Sequence, residues 1–168
     1  YHRGGGPAHI NLETSYSKKK TETILPVRII SRYENQDNLP EIAAKRVCIF
    51  VGAHECMTEE LQKSITEFCK KYNGIVLCDH TSNYRGEYRA FCNIITGQYY
   101  WTSTIKNVDL MIHIGAVSSS DYGIQVKEVW RVNPDGEVRD TFKKLTKVFE
   151  LTELEFFNYY NSVRITYT

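Results

Sequence analysis

Two short polar segments of this chain contain residues that could do chemistry, and each directly follows an apolar run. His54 and Glu55 come after the first run, and a histidine beside a carboxylate can transfer protons in acid–base catalysis. Asp79 and His80 come after the second run, where Asp79 could hold a ligand hydroxyl and His80 could contact a ligand. Each pair also has a structural interpretation. His54 and Glu55 could be a polar lead-in to a helix, and Asp79 could accept hydrogen bonds from backbone N–H groups in a tight turn.

Other motifs that carry chemistry are incomplete in this sequence. Gly52 stands alone after the first apolar run, so the G-x-G-x-x-G pattern that admits a pyrophosphate is missing, and no P-loop pattern occurs. The serines at 118–120 lack the G-x-S-x-G context of a nucleophile, although their hydroxyl and N–H groups could receive an anion. His113 lies within an apolar run and is interpreted as a core histidine with satisfied hydrogen bonds. We predict no catalytic residue and no metal ligands.

Short continuous apolar runs indicate the strands that must position these segments. Residues 47–51 form such a run, which is typical of a strand buried on both faces of a parallel sheet, and further strands are predicted at residues 75–78, 110–114, 129–132 and 147–149. Between the first two runs, Thr58 is placed to cap a helix that ends at Asn73 and Gly74. Thr152 and Glu155 resemble a capping box that opens a last helix, with Leu154, Phe157 and Tyr160 facing inward. The alternation predicts an α/β fold: a three-layer, doubly wound, mostly parallel, Rossmann-like sheet.

Four further segments give weaker signals. Residues 7–12 alternate like a strand, and residues 27–30 could form a short one. Residues 39–43 could begin a helix, with Pro40 in its first turn. A helix is also expected near residues 99–105, inside a mixed region that runs from residue 84 to residue 106.

The carboxyl edge of the predicted sheet is the expected ligand site, because open parallel sheets bind ligands beyond the carboxyl ends of their strands. Three segments occupy that edge. The candidate ligand-binding residues in them are Gly52, Ala53, His54, Asp79, His80, Ser82, Asn83, Gly115, Ser118, Ser119, Ser120 and Tyr122.

Composition excludes several classes of partner. The 21 basic and 20 acidic side chains give a net charge of +1, so no electrostatic feature predicts binding to nucleic acid or to an anionic membrane. No apolar run approaches the roughly 20 residues of a membrane span. The five cysteines contain no C-x-x-C pair and are interpreted as reduced thiols of a cytoplasmic protein.

Several segments in order resemble the thiamine-diphosphate-dependent enzymes. Residues 6–12 (GPAHINL) look like the strand that closes their pyrimidine-binding domain, and residues 47–52 and 74–77 resemble the start of their central domain. Residues 79–85 are similar to the D-x-x-S-N-x-R stretch of the menaquinone-pathway branch. Residues 109–115 look like the family's D-L-x-I-x-x-G strand. The matches cover most of residues 4–150.

The resemblance implies that the chain is the central domain of a 2-oxo acid decarboxylase or carboligase. Residues 1–20 would be the tail of the pyrimidine-binding domain and a linker, residues 21–162 the central domain, and residues 163–168 the start of the next linker. Thiamine diphosphate and Mg²⁺ would be bound by the flanking pyrimidine- and diphosphate-binding domains of a homo-oligomeric parent. No G-D-G motif occurs in the chain, so we expect it to be a fragment that binds no cofactor and is inactive alone.

One departure and two alternatives accompany this resemblance. Menaquinone-pathway enzymes carry Lys and Arg after the D-L-x-I-x-x-G strand, whereas residues 116–123 contain no basic residue, which implies a different 2-oxo acid substrate. The first alternative is a regulatory α/β module that binds a nucleotide or another effector. The second is an independent small α/β enzyme, which would need a nucleophile or metal site that the sequence does not reveal.

Overall fold

A computed structural model describes residues 28–96, 107–116 and 123–164 of the chain. Strands and helices alternate along the described residues. The strands are β1 (Ser31–Tyr33), β2 (Val47–Val51), β3 (Ile75–Cys78), β4 (Arg89–Phe91), β5 (Asn107–Ile114), β6 (Gln125–Val132) and β7 (Leu145–Phe149). The helices are α1 (Glu59–Tyr72), α2 (Cys92–Thr96) and α3 (Glu153–Ser162).

The seven strands form one parallel sheet in the order β1-β7-β6-β5-β2-β3-β4. The chain runs from β2 outward through β3 to β4, returns to the other side of β2 as β5, and continues outward through β6 to β7. This is the strand order of the doubly wound Rossmann fold, with β1 added beyond β7. The predicted Rossmann-like α/β fold is therefore confirmed. The direction of winding reverses between β2 and β5, which makes the carboxyl ends of these two strands the topological switch point.

Apolar side chains cover both faces of the sheet, as the continuous apolar runs predict. On one face, alternate residues of the central strands pack against α1 and α3, which contribute Phe68, Phe156 and Phe157. On the other face, Phe50 and Met111 pack with Phe142 of the connection between β6 and β7. The sheet therefore separates two clusters of buried side chains, and residues that alternate along a strand enter opposite clusters.

Both long helices begin where the sequence predicts, and α1 also ends at the predicted residues. The Thr58 side chain accepts a hydrogen bond from the Leu61 amide at 3.2 Å, and Asn73 ends α1 in the left-handed conformation with a φ of 50°. At the start of α3, Thr152 and Glu155 form the predicted capping box. Lys71 then donates to the carbonyls of Tyr160, Asn161 and Val163, so that α1 holds the carboxyl end of α3.

The segment before β2 differs from its predictions. The short strand lies at Ser31–Tyr33 rather than at residues 27–30, and Ile29 is 84% exposed. Residues 39–43 form no helix. The Tyr160 hydroxyl donates to the Pro40 carbonyl at 2.8 Å, and Leu39 is buried, so tertiary contacts hold this segment in an irregular path across the end of α3. The predictions for residues 7–12 and 99–105 lie outside the described residues.

Asp109 joins three strands at the amino edge of the sheet. Its carboxylate accepts two hydrogen bonds from the Arg46 guanidinium, at 3.1 and 3.2 Å, and pairs with Lys127 at 2.8 Å. The Arg46 hydrogen bonds and the Lys127 ammonium hold the pKa of Asp109 well below its usual range. The aspartate of the D-L-x-I-x-x-G motif thus has a structural role, at the edge opposite the predicted ligand site.

Among the described helices, none has the length and apolar character needed to cross a membrane.

Candidate functional site

Backbone hydrogen bonds join the loops after β2 and β5 directly at the switch point. The Gly52 amide donates to the Ile114 carbonyl at 3.0 Å, and the Ala116 amide donates to the Ala53 carbonyl at 2.7 Å. A Cβ added to Gly52 would lie 1.8 Å from the Ala116 carbonyl oxygen, so only glycine fits here. Gly115 has a φ of +73°, which also favours glycine. These backbone hydrogen bonds cross the switch point, the place where dinucleotide-binding domains hold a pyrophosphate.

The loop after β3 is attached to the same place through His54. The His54 amide donates to the Thr81 carbonyl at 3.1 Å, and the Asn83 side-chain amide donates to the His54 carbonyl at 2.6 Å. Asn83 adopts a positive φ of 53°, which an asparagine tolerates better than most residues. The structure therefore brings together the described parts of all three predicted ligand-edge segments.

The His54 ring is hydrogen-bonded at both nitrogens. Its Nε2 lies 2.8 Å from a carboxylate oxygen of Glu153, and its Nδ1 lies 2.8 Å from the Glu55 carbonyl. The hydrogen bond to Glu153 is the main cause that raises the pKa of His54, against the opposing effect of burial. The other Glu153 oxygen accepts the Gly115 amide at 3.0 Å. Glu153 was not predicted as a site residue, because its sequence context indicates only the first turn of α3.

Asp79 builds a turn rather than facing solvent. It is buried, and one carboxylate oxygen accepts the Thr81 amide at 2.7 Å and the Thr81 hydroxyl at 2.6 Å. Ser82 is also buried and donates its hydroxyl to the Asp79 carbonyl at 2.8 Å. These contacts agree with the structural interpretation of Asp79. His80 is exposed beside this turn, and Ser118, Ser119, Ser120 and Tyr122 lie outside the described residues.

A second polar pair lies near the same edge, on the sheet face opposite α1 and α3. His113 of β5 and Arg131 of β6 are paired in register one residue before each strand ends, and both are fully buried. The His113 ring contacts the Phe50 and Phe142 rings edge-on, at centroid distances of 5.5 and 5.6 Å. Burial lowers the pKa of His113 to about 3, so the ring is neutral at pH 7.

The expectation that His113 has satisfied hydrogen bonds is wrong. Within the part of the chain that the structure describes, neither ring nitrogen of His113 has a hydrogen-bond partner, and neither does Nε or Nη2 of Arg131. Nη1 of Arg131 lies 3.5 Å from the His113 carbonyl oxygen. Burial also lowers the pKa of Arg131 to about 10, which leaves the guanidinium charged. The sequence signal for this pair is an arginine inside an apolar strand, at residues 129–132.

The described residues contain no group of three or more His, Cys, Asp or Glu side chains that could hold a metal ion. The five cysteines lie within the described residues and form no disulfide; Cys56 is exposed, and the others, Cys48, Cys69, Cys78 and Cys92, are buried. His54, Asp79 and Glu153, which the structure describes at the carboxyl edge, bind neighbouring groups, so their arrangement fixes loops.

No protein-family model matches the chain. No curated protein sequence is significantly similar to it.

Proposed function

We propose that this chain is the central, non-catalytic α/β domain of a thiamine-diphosphate-dependent 2-oxo acid decarboxylase or carboligase. In this role it shapes a ligand site, while flanking pyrimidine- and diphosphate-binding domains bind the cofactor and Mg²⁺. One observation carries the proposal. The segments that resemble the family's central domain fall on β2, on β5 and on the loop after β3, which meet at the switch point of a doubly wound sheet.

The chemistry of the edge supports a shaping role. His54, Asp79 and Glu153 are engaged by neighbouring backbone or side-chain groups, and their hydrogen bonds hold three loops in fixed positions. A rigid edge of this kind can present loop residues to a substrate bound between domains. Proton transfer and covalent chemistry would then belong to the cofactor and to residues of the flanking domains.

A regulatory module that binds a nucleotide is the second candidate, and the strand order of β2 to β7 favours it. The contact between Ala53 and Ala116 weighs against it, because a pyrophosphate at the switch point would have to displace that hydrogen bond. Thermal-shift measurements with ADP and FAD distinguish the two candidates. A saturable rise in melting temperature with either nucleotide would favour the regulatory module.

The test begins with the source gene and continues with the protein that the complete gene encodes. We expect a glutamate-bearing pyrimidine domain upstream and a G-D-G…N motif downstream of the segment that encodes residues 1–168. Calorimetric titration should then show thiamine diphosphate with Mg²⁺ binding to the full-length protein and not to residues 1–168 alone. Absence of the downstream motif, or binding of thiamine diphosphate by residues 1–168, would contradict the proposal.

A further inference from the structure

We propose that Arg131 and His113 receive the carboxylate of a small organic acid between β5 and β6, on the sheet face opposite α1 and α3. The site lies within this chain, so the proposal does not rest on the assignment to thiamine enzymes.

The guanidinium of Arg131 carries a buried positive charge that no described side chain pairs with. Arg131 is fully buried, and its Nε and Nη2 lack partners among the described residues. A buried guanidinium without a counter-charge is strongly destabilising, which is why buried charges are normally paired. A charge kept in this position therefore indicates an anion that is bound when the protein functions.

The carboxylates near Arg131 are paired or hydrogen-bonded to other groups. Asp135, Glu137 and Glu153 are the acidic side chains whose charges affect Arg131. Arg139 pairs with the first two, and Glu153 accepts hydrogen bonds from His54 and Gly115. None of the three makes a hydrogen bond to Arg131 within the described ranges. The described acidic side chains therefore supply no acceptor to Nε and Nη2 of Arg131, and the proposal gives that place to a ligand.

The side chains around the site determine which charge and shape a ligand should have. Arg131 offers a single positive charge, while His113 is neutral and can donate one N–H. The Phe50 and Phe142 rings lie against the His113 ring and make that side of the site apolar. A carboxylate carries one negative charge and is matched by one guanidinium, whereas a phosphate dianion would keep an unneutralised charge in an apolar environment. A carboxylic acid with a small apolar or aromatic body fits both conditions.

Entry requires movement of residues 133–144, the connection that carries Phe142 over the site. Tight turns shape this connection, since Gly136 has a φ of +60° and Asp140 accepts the amides of Lys144 and Leu145. We expect association slower than the usual 10⁵–10⁷ M⁻¹s⁻¹, because the connection must open first.

The test compares benzoate and pyruvate with two matched probes. Benzamide keeps the shape of benzoate without its charge, and phenyl phosphate replaces the carboxylate with a dianion. Titrations are followed by calorimetry and by the side-chain Nε–H signal of Arg131 in ¹H–¹⁵N spectra. We expect saturable binding of at least one carboxylate, a shift of that signal, no binding of benzamide and weaker binding of phenyl phosphate.

Two variants and a control complete the design. Arg131→Met removes the charge in an apolar shape, so it should fold with an unchanged or higher melting temperature and bind carboxylate about tenfold more weakly or worse. Arg131→Lys keeps the charge and should retain part of the affinity. Arg85→Met alters an exposed arginine and should bind like wild type. The proposal is overturned if neither carboxylate binds with a Kd below about 10 mM, if Arg131→Met binds like wild type, or if phenyl phosphate binds more tightly.

Discussion

The Nε2 atom of His54 lies 2.8 Å from a carboxylate oxygen of Glu153, although the two residues are 99 positions apart in the chain. The second carboxylate oxygen of Glu153 accepts the Gly115 amide, so one side chain of α3 joins the loops that follow β2 and β5. The side chains of His54 and Glu153 are only 18% and 12% exposed, so solvent screens their interaction weakly. The polar clamp formed by His54, Glu153 and Gly115 fixes the switch point of the sheet.

Replacement of Glu153 with alanine should destabilise the protein. Both hydrogen bonds of the polar clamp are lost, and a half-buried bond to a charged group contributes about 1.5–3 kcal/mol to the free energy of unfolding. Urea unfolding followed by circular dichroism measures the change. Glu67→Ala, at an exposed position of α1, is the control and should change stability by less than about 0.5 kcal/mol. Equal effects of the two variants would show that the clamp contributes nothing.

The stabilisation by the polar clamp should depend on pH through His54. The folded-state pKa of His54 is raised, so the folded protein binds a proton that the unfolded chain releases near its ordinary pKa of about 6.5. The contribution is complete below that pH and is lost as pH rises through the raised pKa. The difference in unfolding free energy between wild type and His54→Gln should therefore shrink from pH 6 to pH 9. A difference that stays constant over this range would exclude protonation of His54 as its source.

His113 should give the opposite dependence. Its folded-state pKa is lowered to about 3, so the unfolded chain binds a proton at pH values where the folded ring stays neutral. Wild type should lose stability as pH falls from about 6.5, and His113→Phe should lack that part of the loss. As pH falls below about 6.5, the unfolding free energy of the variant should rise relative to that of wild type by up to about 1.4 kcal/mol per pH unit. Urea unfolding between pH 4 and pH 7 measures this difference. Parallel pH profiles for the two proteins would show that folding does not lower the pKa of His113.

Gly52→Ala should disrupt the switch point. The added methyl group would lie 1.8 Å from the Ala116 carbonyl oxygen, and backbone atoms on both sides must move to relieve the clash. Overpacking of this kind costs about 1–3 kcal/mol, which thermal unfolding will detect. Gly74→Ala is the matched control, because its Cβ would be 3.5 Å from the nearest atom, an ordinary contact. A stable Gly52→Ala protein would mean that the loops after β2 and β5 separate easily.

Thiol reactivity should single out Cys56. It is the exposed cysteine, while burial raises the pKa of Cys69 and of Cys92 to about 12, and Cys48 is likewise shielded. One thiol per chain should react rapidly with Ellman's reagent in the native protein, and all five should react in denaturant. Cys56→Ser should abolish the rapid phase. A rapid phase of more than one thiol in the native protein would mean that the sheet opens readily.

The central strands and long helices could be predicted because local and tertiary requirements agree there. Strand β2 is buried on both faces, so each of its residues is apolar, and Thr58 and Thr152 supply the side-chain oxygens that helix starts need. Strand β4 was not predicted. It is three residues long, lies at the sheet edge and buries little of its surface, so its sequence carries no apolar pattern.

The site was predicted in part, for a similar reason. The rule that ligands bind at carboxyl ends of parallel strands led to His54, Asp79 and Gly115, which the structure brings together; their binding role stays a prediction. Glu153 and Arg131 were missed, because their importance comes from contacts between distant segments. The helix predicted at residues 39–43 is absent for the same reason. The hydrogen bond between Tyr160 and the Pro40 carbonyl joins distant segments and could not be predicted from the local sequence.

The pairing of β1 with β7 has a consequence for the order of assembly. Ser31 and Lys147 are neighbours in the sheet, and among the described strands only β7 pairs with β1, so the first described strand adds to an edge made by the last. A contact between segments this far apart forms only after a large loop closes, and high contact order slows folding. We expect β1 to join an otherwise completed sheet. During ribosomal synthesis the backbone amides of β1 would stay available for pairing with other chains until residues 145–149 emerge. This short strand therefore depends more than any other segment on timely completion of the whole domain.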